Sequence, residues 1–409
     1  MDLLILGASA RAAAFSASRA GLRPTCVDLF GDADLVACGP SLRIDASAYP
    51  DGLANAAGSK PSMPWLYTGA IENRPDLVDR IASERPLLGN AGPVLRKVRD
   101  PFALAEFVRA AGLHAPEIRS DSRKIPGDGL WLAKPLASGG GRGIRPWTGD
   151  RPHRKGTYYQ RRVTGLPASA LFVGEAAGAR LLGLTRQLLG KPGNRFAYRG
   201  SLAPWPASPI VMGRLDRLGK VLTEEFALRG LFGVDLVLEG DRPWVIEVNP
   251  RYTASVEVLE WALGRSLMVE HLQAFGIESV DRTSEGVGFA AKAIIYARAP
   301  LVWSAEWAGP QVDPMSFPEV ADIPRPGTRF APGDPILTVF SNGNTPERCL
   351  QNLEKNLDRW KRTFPGIEHL PPGSRSDLRI DQEEEEARDE EDPDDGRSEA
   401  ERASADHRP

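Results

Sequence analysis

Cysteine is scarce in this chain of 409 residues: there are three, Cys26, Cys38 and Cys349. An odd number without CxxC spacing argues against a disulfide framework or a structural zinc site and fits a reducing cytosol. Lysine is scarce as well, ten against 41 arginines. No apolar run approaches the ~18–20 residues of a membrane-spanning helix, so no membrane partner is expected. The opening Met1-Asp2-Leu3-Leu4-Ile5-Leu6-Gly7 lacks a basic n-region and a small-residue cleavage site. No secretory signal is read there, and the expected location is cytoplasmic. The net charge is only −3, a total that says little about partners; no nucleic-acid partner is expected.

What is present is unevenly placed. Residues Gly373 to Pro409 hold 15 acids and 6 arginines, a net of −9. Leu378 and Ile380 are their only large aliphatics, and they include no aromatic. Such a segment cannot bury enough apolar area to offset chain entropy, so a disordered acidic tail is expected over 373–409. The rest of the chain then carries +6, and a hydrophobic share of 42% excludes a wholly disordered protein.

The folded part reads as three stretches. Leu3–Leu6, ending in Gly7, is a short strand; Ala8 to Gly21 is an Ala-rich helix; Thr25–Asp28 is a second strand. That order implies a parallel sheet. A helix over Arg74–Ala82 follows. Asp100-Pro101 supplies an N-cap and an N1 proline for the next helix, which Gly112 stops. Strands are expected at Leu130–Pro135, Gly156–Val163, Leu231–Leu238, Pro243–Val248, Ala290–Tyr296 and Pro335–Phe340. Thr345-Pro346 opens a last helix with Cys349, Leu350, Leu353, Leu357, Trp360 and Phe364 on one stripe.

Two motifs carry chemistry. Lys134 ends a strand and precedes Ser138-Gly139-Gly140-Gly141-Arg142-Gly143. Glycines let backbone N–H groups converge on phosphate oxygens, and a nearby lysine adds a point charge. This is not a Walker loop, because the lysine comes first and no GK[ST] follows; the bland alternative is a flexible surface turn. The second motif is a hairpin, Gly233–Glu239 and Pro243–Arg251, with its turn centred near Asp241. In that register residue numbers sum to 482, so Asp235 faces Glu247, and Asn249 shares their face. Two carboxylates that close repel unless a cation lies between them, and Asp, Glu and Asn oxygens suit Mg²⁺. The opposite face (Val234, Leu236, Leu238, Trp244, Ile246, Val248) is apolar, which favours this register over an exposed strand with scattered charges.

Together these segments resemble the ATP-grasp superfamily, in particular its carboligase branch related to biotin carboxylase, over roughly residues 1–365. The resemblance implies an α/β (α+β) ATP-grasp fold: a Rossmann-like pre-ATP-grasp domain over 1–90, the ATP-grasp domain over 91–280 and a C-terminal lobe over 281–370. It implies ATP and Mg²⁺ (two ions, with Mn²⁺ as an alternative), carboxylate and amine substrates, and a homodimer. Lys97 matches the family's first nucleotide lysine and Lys134 the second. Ser138 and Gly139, Gly140, Gly141 and Gly143 match the phosphate loop, and Gln160, Arg161 and Val163 the linker that binds adenine. Asp235, Glu247 and Asn249 match the metal ligands, and Arg251 the arginine that holds the transferring phosphate or the acyl substrate. For Lys97 the alternative is a solvated charge on a helix flank.

There are departures. The linker opens with Gln160 where an acid is usual. The ribose ligand falls near Pro167 or Ala168, with Ser169 as a substitute. Ser255 stands where biotin carboxylase has its bicarbonate-deprotonating glutamate, with Glu257 two residues on, which argues against biotin carboxylation. Asn194–Gly200 reads as a basic turn or an anion-receiving segment; Gln187 and His271 read as structural. Gly7 and Asp28 have the spacing of a dinucleotide fingerprint, but Ser9 occupies its second glycine position, so a degenerate Rossmann-like unit is the better reading. The expected activity is ligation through an acyl-phosphate; a bicarbonate-using phosphotransfer enzyme and a non-catalytic ATP sensor are the alternatives.

Overall fold

Leu3–Leu6 are buried on both faces, as the inner strand of a parallel sheet must be. In the computed structural model, which describes residues 1–149, 153–191, 193–282, 285–304 and 312–363, they lie in β1 (Asp2–Gly7). β2 (Arg23–Asp28), β3 (Ser41–Arg43) and β4 (Trp65–Tyr67) complete an all-parallel sheet of order β3-β2-β1-β4. The Ala-rich helix is α1 (Arg11–Arg19), and α2 (Gly52–Gly58) and α3 (Pro75–Ala82) pack nearby. The segment 373–409 and Phe364 lie outside the described residues.

Two helices lead into the second stretch, α4 (Gly92–Val98) and α5 (Pro101–Ala110). Asp100 caps α5 as its sequence requires, its carboxylate accepting from the N–H groups of Phe102 and Ala103. A small antiparallel sheet follows, of order β5-β8-β6-β7: β5 (Ile118–Arg119), β6 (Trp131–Pro135), β7 (Arg145–Pro146) and β8 (Thr157–Arg161).

An eight-stranded antiparallel sheet then spans the molecule. It contains β9 (Leu166–Glu175), β10 (Gly178–Lys191), β11 (Asn194–Ala203), β12 (Gly230–Glu239), β13 (Arg242–Asn249) and β14 (Phe289–Tyr296). After a ribbon of β15 (Leu301–Val302) with β17 (Arg329–Phe330), it is completed by β16 (Val320–Ala321) and β18 (Pro335–Gly343). Its order is β13-β12-β9-β10-β11-β14-β18-β16. β11 pairs with β14, so one sheet runs through the expected domain boundary at 280/281. Helix α6 (Pro209–Phe226) covers one face, with Leu215, Leu218 and Leu222 against Ala170, Phe172 and Val234. Helices α7 (Ala254–Leu263) and α8 (Leu267–Gln273) cover the other, in a core that also takes in Ala13 and Ala14 of α1 and Phe340 of β18. Helix α9 (Pro346–Thr363) buries Cys349, Leu350, Leu353 and Leu357, and Thr345 accepts from the Arg348 N–H at 3.2 Å.

The hairpin pairs Asp235 with Glu247, but by a different route from the one expected. The turn is the two-residue Gly240-Asp241, closed by Glu239 opposite Arg242, with Gly240 at φ +54°. That register, one residue short of the expected one, changes between Asp235 and Leu236, where Ile246 is left as a bulge. Val245, not Trp244 or Ile246, therefore faces the α6 core beside Leu236. Trp244 instead lies against His114, ring centroids 5.3 Å apart.

Candidate active site

Strand alternation puts Asp235, Glu247 and Ser169 in one register row on the face away from α6. Asn249 donates to Asp235 Oδ2 at 3.1 Å, and Gln187 of β10 donates to Asp235 Oδ1 at 2.9 Å. The Ser169 hydroxyl also bonds to Asp235, which commits it there rather than to a ribose. Gln187, read as structural, thus belongs to the acid cluster; the only signal would have been the register of β10, which was not legible.

Burial and the Glu247 charge push the Asp235 carboxyl up to about 6. Burial also disfavours the Glu247 charge, but Arg99, Lys134 and Arg251 outweigh it and hold its carboxyl below the usual range. One carboxylate is therefore poorly compensated, which suits a cation between the two. Among the described residues no three His, Cys, Asp or Glu side chains form a metal cage of their own. A Mg²⁺ site of two acids and an amide, completed by phosphate oxygens, fits that set.

Arg99 ties this cluster to the glycine loop. Its Nη1 donates to Glu247 Oε1 and to the Val248 carbonyl at 3.2 Å; its Nη2 donates to the Ser138 carbonyl at 3.1 Å and to Asn73 Oδ1 at 3.0 Å. Arg99 Nε is buried without a partner. Lys97, by contrast, is turned away. Two residues apart on a helical path, the side chains of 97 and 99 diverge by about 200°. Lys97 Nζ lies 2.7 Å from Glu225 Oε1 of α6 and above the Phe226 ring, half exposed. The structure gives Lys97 the helix-flank environment and puts Arg99 in the cluster.

The loop itself rests on β11. The Tyr198 N–H donates to Gly140 O at 3.1 Å, and Asn194 Nδ2 to Gly141 O at 3.0 Å. Asn194–Gly200 is thus a strand that supports the loop, not a turn. Gly140, Gly141 and Gly143 all have φ between +60° and +77°. A Cβ on Gly141 would meet Phe196 O at 1.9 Å, whereas Gly139 has open space around it. Gly141→Ala is expected to lift the loop off β11 and weaken MgATP binding by about tenfold, since the left-handed backbone alone costs ~1–2 kcal/mol for an L-residue. Calorimetric titration checks this, with Gly139→Ala expected to change little.

Lys134 is buried, and its Nζ donates to Gln160 Oε1 at 3.0 Å and lies over the Tyr158 ring. Gln160 is buried too; Arg161 is exposed with its N–H given to Glu117 O, and Val163 lies half-buried in the coil that follows. Arg251 reaches across to the N-terminal stretch, donating from Nη2 to Glu72 Oε1 at 2.6 Å, while its Nε is buried without a partner.

The remaining candidates are structural. Ser255 is buried 3.2 Å from the Ser201 hydroxyl. Glu257 is held by Arg11 and by Lys292 at 2.7 Å; burial would raise its carboxyl, but those two cations draw it down to about 2, which makes it a poor base. His271 bridges the Leu231 N–H and Leu88 O, and burial lowers its imidazole to about 4. Asp28 accepts from the N–H groups of Ala10, Phe30 and Gly31, so it holds its own loop. A Cβ on Gly7 would strike Thr68 Oγ1 at 1.7 Å, so packing explains that glycine without a dinucleotide.

Residues 98–255 match the family model described as an ATP-grasp domain. An uncharacterized protein of Methanocaldococcus jannaschii is 22% identical over 207 residues, 49% of this chain and 48% of its own, so the chain spans about half the length of that curated relative. The biotin carboxylase domain of Hydrogenobacter thermophilus 2-oxoglutarate carboxylase, solved as a dimer with MgADP, ADP and bicarbonate, superposes with a TM-score of 0.67 at 14% identity, over 87% of this chain and 89% of that one. Phosphoribosylamine–glycine ligase of Thermotoga maritima superposes with a TM-score of 0.62 at 16% identity, over 90% and 97%. At these identities the solved structures speak for the fold. Residues 98–255 thus match an ATP-grasp domain, and the chain shares the fold of biotin carboxylase.

Proposed function

We propose that this protein is an ATP- and Mg²⁺-dependent ligase that joins a carboxylate to an amine through an acyl-phosphate. One observation carries the reading: Arg99 bonds at once to Glu247 of the acid cluster and to Ser138 O of the glycine loop. That bridge supports reading the acids and the glycine loop as one site. Asp235, Glu247 and Asn249 hold Mg²⁺, two ions in the fullest reading, and Mn²⁺ suits the same oxygens. Bound there, the metal offsets phosphate charge.

In this reading Ser138, Gly139, Gly140, Gly141 and Gly143 cradle the phosphates, and Lys134 with the linker Gln160, Arg161 and Val163 positions the nucleotide. Arg99 takes the cationic role first expected of Lys97, because Lys97 is spent on Glu225. A carboxylate oxygen of the substrate attacks the γ-phosphorus and ADP leaves. The amine nitrogen then attacks the acyl carbon, and the C–O bond to phosphate breaks. Arg251 steadies the anionic groups in both steps. A homodimer is part of the same reading.

The phosphoribosylamine–glycine ligase likeness supports this class by its name, and the engagement of Glu257 by Arg11 and Lys292 disfavours a bicarbonate base at that position. The test is ADP release by purified protein across pools of carboxylates and amines. Release that requires an amine supports the proposal. Release driven by bicarbonate alone overturns it in favour of a carboxylase-like enzyme, and MgATP binding without turnover in every pool overturns it in favour of a sensor. Removal of 373–409 is expected to leave turnover within about twofold, since that segment offers no phosphate or metal ligand pattern; a large loss in the same assay refutes this.

A further inference from the structure

The turn after β4 reaches Arg99, Arg251 and the glycine loop. Ile71, buried in the N-terminal core, anchors it, and Thr68 donates to Ser9 O at 2.9 Å. Ala70 is held at φ +77°, a conformation an L-residue takes only when its surroundings impose it. Gly69 packs against the Arg251 guanidinium, its Cβ position 3.5 Å from Cζ.

The next two side chains divide the work. Glu72 is fully buried and accepts from Arg251 Nη2 at 2.6 Å, while its Oε2 has no hydrogen-bond partner, so Arg251 is its compensating charge. Asn73 accepts from Arg99 Nη2 at 3.0 Å and donates to Ser138 O at 3.4 Å. No motif in the sequence marks either residue.

We propose that this turn is a positioning element of the active site: Glu72 orients Arg251 toward the transferring phosphate, and Asn73 locks Arg99 to the glycine loop. The N-terminal unit thereby sets two cations and the loop in one arrangement. The inference rests on reading that loop and Arg251 as phosphate ligands.

The experiment measures affinities of the full chain for MgADP and for Mg-AMP-PNP, with amide exchange over 138–143 and the thermal midpoint alongside. Asn73→Ala should weaken both nucleotides by about tenfold and speed exchange in the loop, with the midpoint nearly unchanged. Glu72→Gln should weaken Mg-AMP-PNP about fivefold more than MgADP, because only the former carries the γ-phosphoryl group that Arg251 meets. Arg74→Ala, one residue on and paired with the exposed Asp51 and Asp76, should change neither. If Asn73→Ala does not fold, Asn73→Asp removes the same donor with little change in shape, and Glu72→Asp serves likewise for Glu72. Unchanged affinities and exchange in both positions, with wild type binding normally, overturn the positioning role and leave the nucleotide site standing. A wild type that binds neither nucleotide overturns the underlying reading, and the inference with it.

Discussion

Glu247→Gln is expected to lower ATP turnover by at least ~10²–10³-fold while leaving the fold intact. The substitution keeps an oxygen that can accept from Arg99 but removes the charge that Arg99, Lys134 and Arg251 surround. Arg99 then loses its carboxylate partner, and the pair of acids that suits Mg²⁺ is broken. Stability should hardly change, because the Glu247 side chain retains 30% exposure and the variant relieves the repulsion that raises the Asp235 carboxyl. ADP release and a thermal melt, run together, check both halves. Turnover like that of wild type would sink the metal assignment; a collapsed melt would show that Glu247 holds the fold.

Arg11→Met is the second large effect, and it falls on stability. Arg11 is fully buried and binds Glu257 of α7 through two nitrogens; its Nε donates to Asp322 Oδ1 at 2.9 Å, with Asp34 at 3.8 Å. Removing one partner of such a cluster leaves buried carboxylates under-compensated and costs ~3–5 kcal/mol. At somewhat less than ~2–4 °C per kcal/mol for a chain this long, the midpoint should fall by roughly 5–15 °C. The pH dependence has a definite sign. The Glu257 carboxyl, drawn down from 4.5 to about 2, contributes stability that is present above 4.5 and lost as pH falls through about 2. In Arg11→Met that acid-labile part should shrink, flattening the melt between those pH values. A midpoint within 2 °C of wild type would show that Lys292 alone compensates Glu257.

The two residues differ in how visible they were. Glu247 is legible because a hairpin has a local register and a carboxylate pair stands out against alternating valine and leucine. Even so, the turn was misplaced by one residue, and the Ile246 bulge restored the pairing. Arg11 carries no local signal, because its partners lie 246 and 311 positions away. Helix α7 shows no stripe to read, since Ser255 through Ala262 are all buried and no side of it is polar for exposure's sake. Strand β9 shows no alternation for a related reason: Ala168 to Gly174 are buried on both faces. The opening of α6, by contrast, had a signal in Ser208-Pro209, where the serine accepts from the Val211 N–H.

The exchange of Lys97 for Arg99 follows the same division. The segment Arg96–Asp100 offers three basic residues, Arg96, Lys97 and Arg99. Which of them enters the site depends on where α4 ends and on what α6 presents to its flank.

By itself the sequence determined the parallel N-terminal strands, the glycine loop after Lys134, the hairpin that pairs Asp235 with Glu247 and the last helix. All of these are encoded by neighbours a few residues apart. The tertiary structure alone decided that Gln187 and Ser169 join Asp235, that Arg99 rather than Lys97 reaches the acids, and that Glu72 and Asn73 come from the N-terminal unit to meet Arg251 and Arg99. Those contacts join residues 26 to 179 positions apart. Local chemistry supplies the groups, and only strand pairing within the large sheet and the packing of the N-terminal segments beside it bring them within hydrogen-bond reach.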